Sequence, residues 1–256
     1  MQKLIIRLFF ILASAAFANV YGQNITFNHL TTDDGLSQFS VNSLYVDENG
    51  ILWIGTREGL NRYNGDDIQT YKLQKNNPNS LFCNTVSRIT GNHNGKIYLL
   101  CTEGVAEFNL ATQKFTTLIQ GNINSIYYND GLFIGKKNEI YRYNEETGNF
   151  DLYYQLPDRN LEIVCIHINK DVLWLGTTTN GVYCLNIDKK ELTHPIQKGN
   201  ITSFYQDSED GKYAYVVAGA DKERCLKTDA WRVGTLLLTC EGTRIFDASG
   251  QETPVD

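Results

Sequence analysis

From Asn42 to Asn64 the chain alternates short apolar runs with polar turns. Ser43-Leu44-Tyr45-Val46 is followed by Asp47-Glu48-Asn49-Gly50, then by Ile51-Leu52-Trp53-Ile54-Gly55-Thr56. A second turn at Arg57-Glu58 leads into Gly59-Leu60-Asn61-Arg62-Tyr63. Runs of this length, rich in Ile, Leu, Val and aromatic residues and broken by turn formers, predict a three-strand meander. The second run is apolar at consecutive positions, Ile51 to Ile54. Continuous apolarity, as opposed to alternation, predicts a strand covered on both faces.

The pattern recurs. A second copy runs Val86 to Ile89, Asn94 to Gly104 and Glu107 to Asn109. A third runs Ile123 to Ile126, Gly131 to Gly135 and Tyr141 to Asn144, and a fourth Ile163 to Ile166, Val172 to Thr177 and Gly181 to Asn186. The closing residues Asn64, Asn109, Asn144 and Asn186 lie 45, 35 and 42 residues apart. A motif that survives while its loops vary predicts propeller blades, since a solenoid coil holds its period more strictly. Fourth, more polar strands follow at Ile68 to Leu73, Lys114 to Leu118 and Asn149 to Tyr154, as a blade's outer edge requires. Asn49-Gly50, Asn94-Gly95, Asp130-Gly131, Asn180-Gly181 and Asp210-Gly211 predict two-residue hairpin turns. Gly55, Gly135 and Gly176, at the strand ends, predict close approach of a neighbouring backbone or ring. The fold expected is all-β, a β-propeller of five to six blades in this chain or an incomplete seven-bladed ring.

Residues 1–22 have the form of a signal peptide: Lys3 and Arg7, an apolar stretch from Leu4 to Ala18, and small-residue cleavage sites at Ala16-Phe17-Ala18 or Val20-Tyr21-Gly22. The apolar stretch is shorter than the roughly 20 residues of a spanning helix. An uncleaved anchor is the alternative. Residues 23–256 form the expected propeller domain, with repeats clear to 186 and divergent from 212, and with no membrane span. Export places it in the periplasm.

Without Lys3 and Arg7 the chain has 21 basic and 29 acidic residues, a net charge of −8, which argues against a nucleic-acid partner. Cys83, Cys101, Cys165, Cys184, Cys225 and Cys240 contain no CxxC pair. They read as small buried apolar residues or, in an oxidising compartment, as disulfide partners, Cys165 with Cys184 being the first pair to test.

No catalytic or metal motif emerges. His29, His93, His167 and His194 are scattered without metal-ligand spacing, and no nucleophile elbow, phosphate loop or dinucleotide fingerprint is present. The expectation is a non-enzyme without cofactor or metal. Asp33-Asp34, Asp66-Asp67, Glu145-Glu146 and Glu209-Asp210 flank turns. A glycosidase would instead need two carboxylates facing each other across the channel. Repeat position makes Trp53 and Trp174 packing residues. No motif identifies ligand-binding residues, so contacts are expected in non-repeating loops: Arg57-Glu58, Gln74 to Ser80, Lys136-Lys137-Asn138 and Thr178-Thr179-Asn180.

The lead-in Phe27-Asn28-His29-Leu30-Thr31-Thr32-Asp33-Asp34-Gly35-Leu36-Ser37-Gln38, together with Asp47 to Gly50, Trp53-Ile54-Gly55-Thr56 and Gly59-Leu60-Asn61-Arg62-Tyr63-Asn64, resembles the start of the periplasmic sensor region of hybrid two-component regulators, which is built from two-component regulator propeller repeats. The resemblance implies an oligosaccharide-sensing role, signalling to a histidine kinase, and a homodimer as in sensor kinases. This chain would be the N-terminal sensor part or a truncated piece of such a regulator. The alternative is a structural or protein-interaction propeller without a small ligand. A fifth repeat opens at Ile201 to Asp207. Its second strand is expected, displaced, at Trp231-Arg232-Val233-Gly234-Thr235 and its closing strand at Glu241 to Asp247, leaving Lys212 to Ala230 as an insertion or separate strands.

Overall fold

The computed structural model describes residues 29–197 and 199–206, and beyond them the strands 213–218, 234–239, 242–246 and 252–253. Contacts divide the chain into residues 1–30 and Thr31–Asp256. The leader expected at residues 1–22 lies outside the described residues. Every element below belongs to the second unit.

After a single 3-10 turn at Thr32–Asp34 come four antiparallel meanders in chain order. The first comprises β1 (Val41–Val46), β2 (Leu52–Thr56), β3 (Gly59–Tyr63) and β4 (Ile68–Tyr71). The second comprises β5 (Val86–Gly91), β6 (Lys96–Cys101), β7 (Gly104–Asn109) and β8 (Lys114–Gln120). The third is β9 (Ser125–Tyr128), β10 (Leu132–Lys136), β11 (Glu139–Asn144) and β12 (Asn149–Gln155). The fourth is β13 (Ile163–Asn169), β14 (Val172–Thr177), β15 (Val182–Asn186) and β16 (Leu192–Ile196). A fifth sheet follows from β17 (Ile201–Gln206). The first strands touch in succession, β1 with β5, β5 with β9, β9 with β13 and β13 with β17. This is the stacking of propeller blades, and five sheets agree with the number expected.

In the second strands of the first four sheets the central apolar residues are buried, Trp53 and Trp174 at 1% and 0% exposure, while Ile51 at the entry to β2, Leu52 and Val172 are half-buried. Gly55 shows why the strand end needs glycine. A Cβ there would meet Val86 Cγ1 at 2.9 Å and the Val86 carbonyl at 3.2 Å, on the first strand of the next sheet. Gly176 stands in the same relation to Ile201. The lead-in is also explained. The Asn61 side chain accepts from the Ser37 N–H at 2.8 Å and donates to Ser37 Oγ and the Ile54 carbonyl, pinning Gly35-Leu36-Ser37 onto the first sheet.

One flank differs from its counterparts. By ladder register Val41 is equivalent to Val86, Ile163 and Ile201, and Leu44 to Ile89, Ile126 and Ile166. Those six are buried against the preceding sheet, whereas Val41 is 45% and Leu44 60% exposed, beside exposed Phe39 and Val46. The first sheet therefore carries a blade-packing face that no described residue covers.

Two expectations need correction. The second strand of the fifth sheet is not Trp231 to Thr235 but β18 (Tyr213–Ala218), which pairs with β17 so that Ser203 faces Val217 as Ser43 faces Gly55. Tyr213 to Ala218 lacks the Trp and Gly landmarks, so only its position after the turn identifies it. β19 (Gly234–Thr239) lies parallel to β18. β20 (Gly242–Phe246) is the expected closing strand, and β21 (Glu252–Thr253) completes the sheet. Second, Cys165 and Cys184 lie on β13 and β15 with β14 between them. Two strand spacings, roughly 10 Å, exceed the about 4.4–6.8 Å between Cα atoms that a disulfide spans. Both are free and buried, and burial raises both thiols, Cys165 to about 12.

Candidate functional site

The turns joining first to second strands gather on one rim. Asp47 organises the first of these turns. Its carboxylate accepts from the N–H groups of Asn49 and Ile51 at 2.9 and 3.0 Å and from Trp53 Nε1 at 2.8 Å. Asn92 repeats the backbone part with Asn94 and Lys96. These are therefore wider side-chain-held loops, not the two-residue hairpins expected. In the third sheet Asp130 and Gly131 both have positive φ within a three-residue turn between Tyr128 and Leu132, and in the fourth the two-residue turn is Lys170-Asp171, between Asn169 and Val172. Asp210-Gly211 lies outside the described residues.

Two hollows open on this rim. One, of about 640 Å³, is lined by Tyr128, Asp130, Arg142, Tyr143, Glu145, Glu146, Asp151 and Tyr153 among others. The other, of about 420 Å³, adjoins it through Tyr128 and Asp130 and adds Tyr45, His93 and Tyr127. Volumes of this size suit a small ligand. Tyr128 is held flat against Tyr98 of the neighbouring sheet, centroids 5.4 Å apart and planes 7° from parallel. Arg142 donates to the Asp130 carbonyl at 2.6 Å and lies over the Phe133 ring. Lys190 caps the Tyr153 ring at 3.7 Å. Behind the hollow, Lys96 pairs with Glu107 at 3.1 Å.

The electrostatics are acidic. Burial, then the carboxylates of Glu145 and Asp130, push the Tyr128 phenol up, and burial followed by Glu107 does the same for Tyr143. Burial, with Glu48 and Asp47, carries Tyr45 to about 12. Burial opposes the charge on Lys96, but the Glu107 hydrogen bond and nearby carboxylates outweigh it and raise its value. At neutral pH the rim thus offers protonated phenols as donors, carboxylates as acceptors, and aromatic faces.

The loops expected to bind ligand sit elsewhere. Arg57-Glu58, Lys137-Asn138 and Thr178 to Asn180 lie at the opposite ends of the second strands, engaged in structural contacts. Glu58 pairs with Lys72 at 3.6 Å, and the Arg57 carbonyl accepts from Thr85. Asn138 is buried and donates to the Leu156 carbonyl, and the Asn180 carbonyl contacts His194 Nε2. Lys136 ends β10. In 74–80, Gln74, Asn77 and Ser80 bond one another. Of the acidic pairs, Asp34 caps Thr31, and Asp66-Asp67 donate backbone N–H groups to Asn64. Glu145-Glu146 borders the larger hollow, and Glu209-Asp210 is outside the described residues. Among the described residues no group of three or more His, Cys, Asp or Glu could hold a metal ion, and no helix is long and apolar enough to cross a membrane.

Residues 35–58 match the family model of the two component regulator propeller. A 55-residue segment, 22% of this chain, is 47% identical to 4% of Histidine kinase P4 of Formosa agariphila. In three dimensions 88% of the chain superposes on 31% of the extracellular domain of a protein described as a hybrid two component system, BT3049 of B. thetaiotaomicron, with TM-score 0.66 and 21% identity. For the corresponding domain of BT4673 the values are 66%, 25%, 0.56 and 22%. PorZ, a surface component of the type-IX secretion system of Porphyromonas gingivalis, is similar over 84% of this chain and 31% of its own, with TM-score 0.57 and 15% identity. The chain spans under a third of each of these structures. The blade architecture expected from the repeats is thus present, and the match to the two component regulator propeller model falls on the lead-in and the first two strands of the first sheet.

Proposed function

We propose that this chain is an exported sensor module of a hybrid two-component regulator, and that its ligand is an oligosaccharide. The tyrosine–carboxylate rim carries this reading. Sugar rings present apolar C–H faces that stack on aromatic rings, and equatorial hydroxyls that bond carboxylates and phenols. Tyr128, Tyr143 and Tyr153 with Glu145, Glu146 and Asp151 supply both kinds of contact around one hollow. The leader-like residues 1–22 and the extracellular placement of the similar structures support a periplasmic location. Signalling partners, including a second copy of the parent regulator, would lie outside this chain.

A panel of oligosaccharides screened by thermal shift tests the reading. At a hundredfold excess over Kd, a ligand contributes about 2.7 kcal/mol, so some member should raise the melting temperature by several degrees. Silence across a broad panel would refute it. A second reading, a protein-interaction propeller, draws on the exposed Val41 and Leu44 flank. Capture of a protein partner whose binding is lost in Leu44→Asp, together with glycan silence, would favour it.

A further inference from the structure

Cys83 lies in the loop between β4 and β5, and Cys101 closes β6. Their exposures are 4% and 2%, and they share one core cluster with Leu81 and Val86. Cys101 stands opposite Val86 in the ladder, three residues beyond Cys83. The first sheet shows how closely these positions approach. There Thr56 stands opposite Val41, and the Thr56 hydroxyl meets that of Ser37, in the segment leading to β1, at 2.8 Å. Cys101 occupies the ladder position of Thr56, and Cys83 lies, like Ser37, in the segment leading into a first strand, so the two free, buried thiols come within hydrogen-bonding reach of each other. The Cys101 thiol, with the backbone N–H groups of Thr102 and Glu103, holds Cys83 down near 7, well into the range where the thiolate is available. Cys101 is pushed up by Cys83 and by burial.

We propose that Cys83 and Cys101 are joined by a disulfide in the exported protein, clamping the loop between the first and second sheets onto the end of β6. The reaction needs a disulfide oxidant of the thiol oxidoreductase class. The Cys83 thiolate attacks the oxidant's disulfide and expels one of its thiols. Cys101, losing its proton, then attacks the Cys83 sulfur and releases the second. One S–S bond forms, and two electrons and two protons leave with the reduced oxidant. Because both sulfurs are buried, the first attack occurs before the loop closes or during its local opening.

The oxidising compartment rests on the export reading, so two samples separate the claims. Purified full-length chain is equilibrated with oxidised and reduced glutathione, alkylated in denaturant and digested with trypsin. Cys83 falls in peptide 76–88 and Cys101 in peptide 97–114, each with one cysteine. The result expected is a linked pair two hydrogens lighter than the separate peptides. The melting temperature should rise by roughly 6–12 °C on oxidation, and this rise should vanish in Cys83→Ser and Cys101→Ser. Both cysteines alkylated after oxidation, or either one linked elsewhere, overturns the pairing. The same digest is run on protein harvested without reductant from the cell envelope. Linkage there supports the full proposal, whereas a bridge formed in vitro but absent from harvested protein overturns the export reading.

Discussion

Gly55→Ala tests the wedge packing of the first two sheets. Gly55 is not among the positive-φ glycines, so alanine meets no backbone objection. By narrowing the unfolded ensemble it would gain about 0.4–1 kcal/mol if space allowed. Space does not allow it. The new methyl would lie 2.9 Å from Val86 Cγ1, 3.2 Å from the Val86 carbonyl oxygen and 3.3 Å from Val86 Cβ. Carbon pairs prefer about 3.5–4.0 Å. Val86 is fully buried, and its carbonyl accepts from Asn42 at 3.0 Å, so neither atom can retreat freely. Overpacking of this kind costs about 1–3 kcal/mol. The net loss expected is about 1–2 kcal/mol, or roughly 2–8 °C in melting temperature for a domain of this size. Urea unfolding of Gly55→Ala, Val86→Ala and the double variant measures it. Because Val86→Ala removes Cγ1, the double variant should lose less than the sum, with coupling near 1 kcal/mol. An unchanged or more stable Gly55→Ala, or strict additivity, would refute the close approach of the two sheets.

Other outcomes follow from the same contacts. Asp47→Ala strands two backbone donors and a buried indole, and should cost about 2–4 kcal/mol by thermal unfolding; a loss under 1 kcal/mol would show that water replaces the carboxylate. Trp174 Nε1 is buried without a hydrogen-bond partner, so Trp174→Phe should cost about 1 kcal/mol less than Trp53→Phe, and equal losses would contradict the difference. The Tyr71 hydroxyl is likewise buried and unpartnered, so Tyr71→Phe should leave urea stability equal or higher. Tyr45, raised from 10.0 to about 12, favours the fold while protonated. Its contribution is intact below pH 10 and lost as pH rises towards 12, and the difference between the ultraviolet titrations of wild type and Tyr45→Phe should show this phenol ionising near 12; ionisation near 10 would show it unburied.

The blades were legible in the sequence because each relies on nearest-neighbour patterning. Gly55 and Gly176 read as contact points and Trp53 and Trp174 as packing, and both stand so; of the strand read as doubly covered, Trp53 and Ile54 are buried while Ile51 and Leu52 are half-buried. What failed needed register. Cys165 and Cys184 share a sheet, but the strand between them separates their sulfurs. Cys83 and Cys101 meet because Val86 pairs with Cys101, which no spacing rule reveals. β18 was missed because Tyr215 and Val217 stand where the other sheets carry landmark residues. The aromatic rim was invisible for the same reason. Tyr45, Tyr128 and Tyr143 come from three strands of two non-adjacent repeats, whereas the loops expected to hold ligand stand on the opposite rim. Clustered Tyr and acidic residues around the first and third turns of a repeat were the available signal.

The most direct test is an isothermal titration of the best glycan from the panel into wild-type chain, Tyr128→Ala and Glu145→Ala, each first shown to be folded by its thermal transition. Saturable binding to the wild type, weakened at least about tenfold in both variants, equivalent to roughly 1.4 kcal/mol, is the predicted result. Absence of binding, or affinity unchanged in both variants, would contradict a sugar-sensing rim.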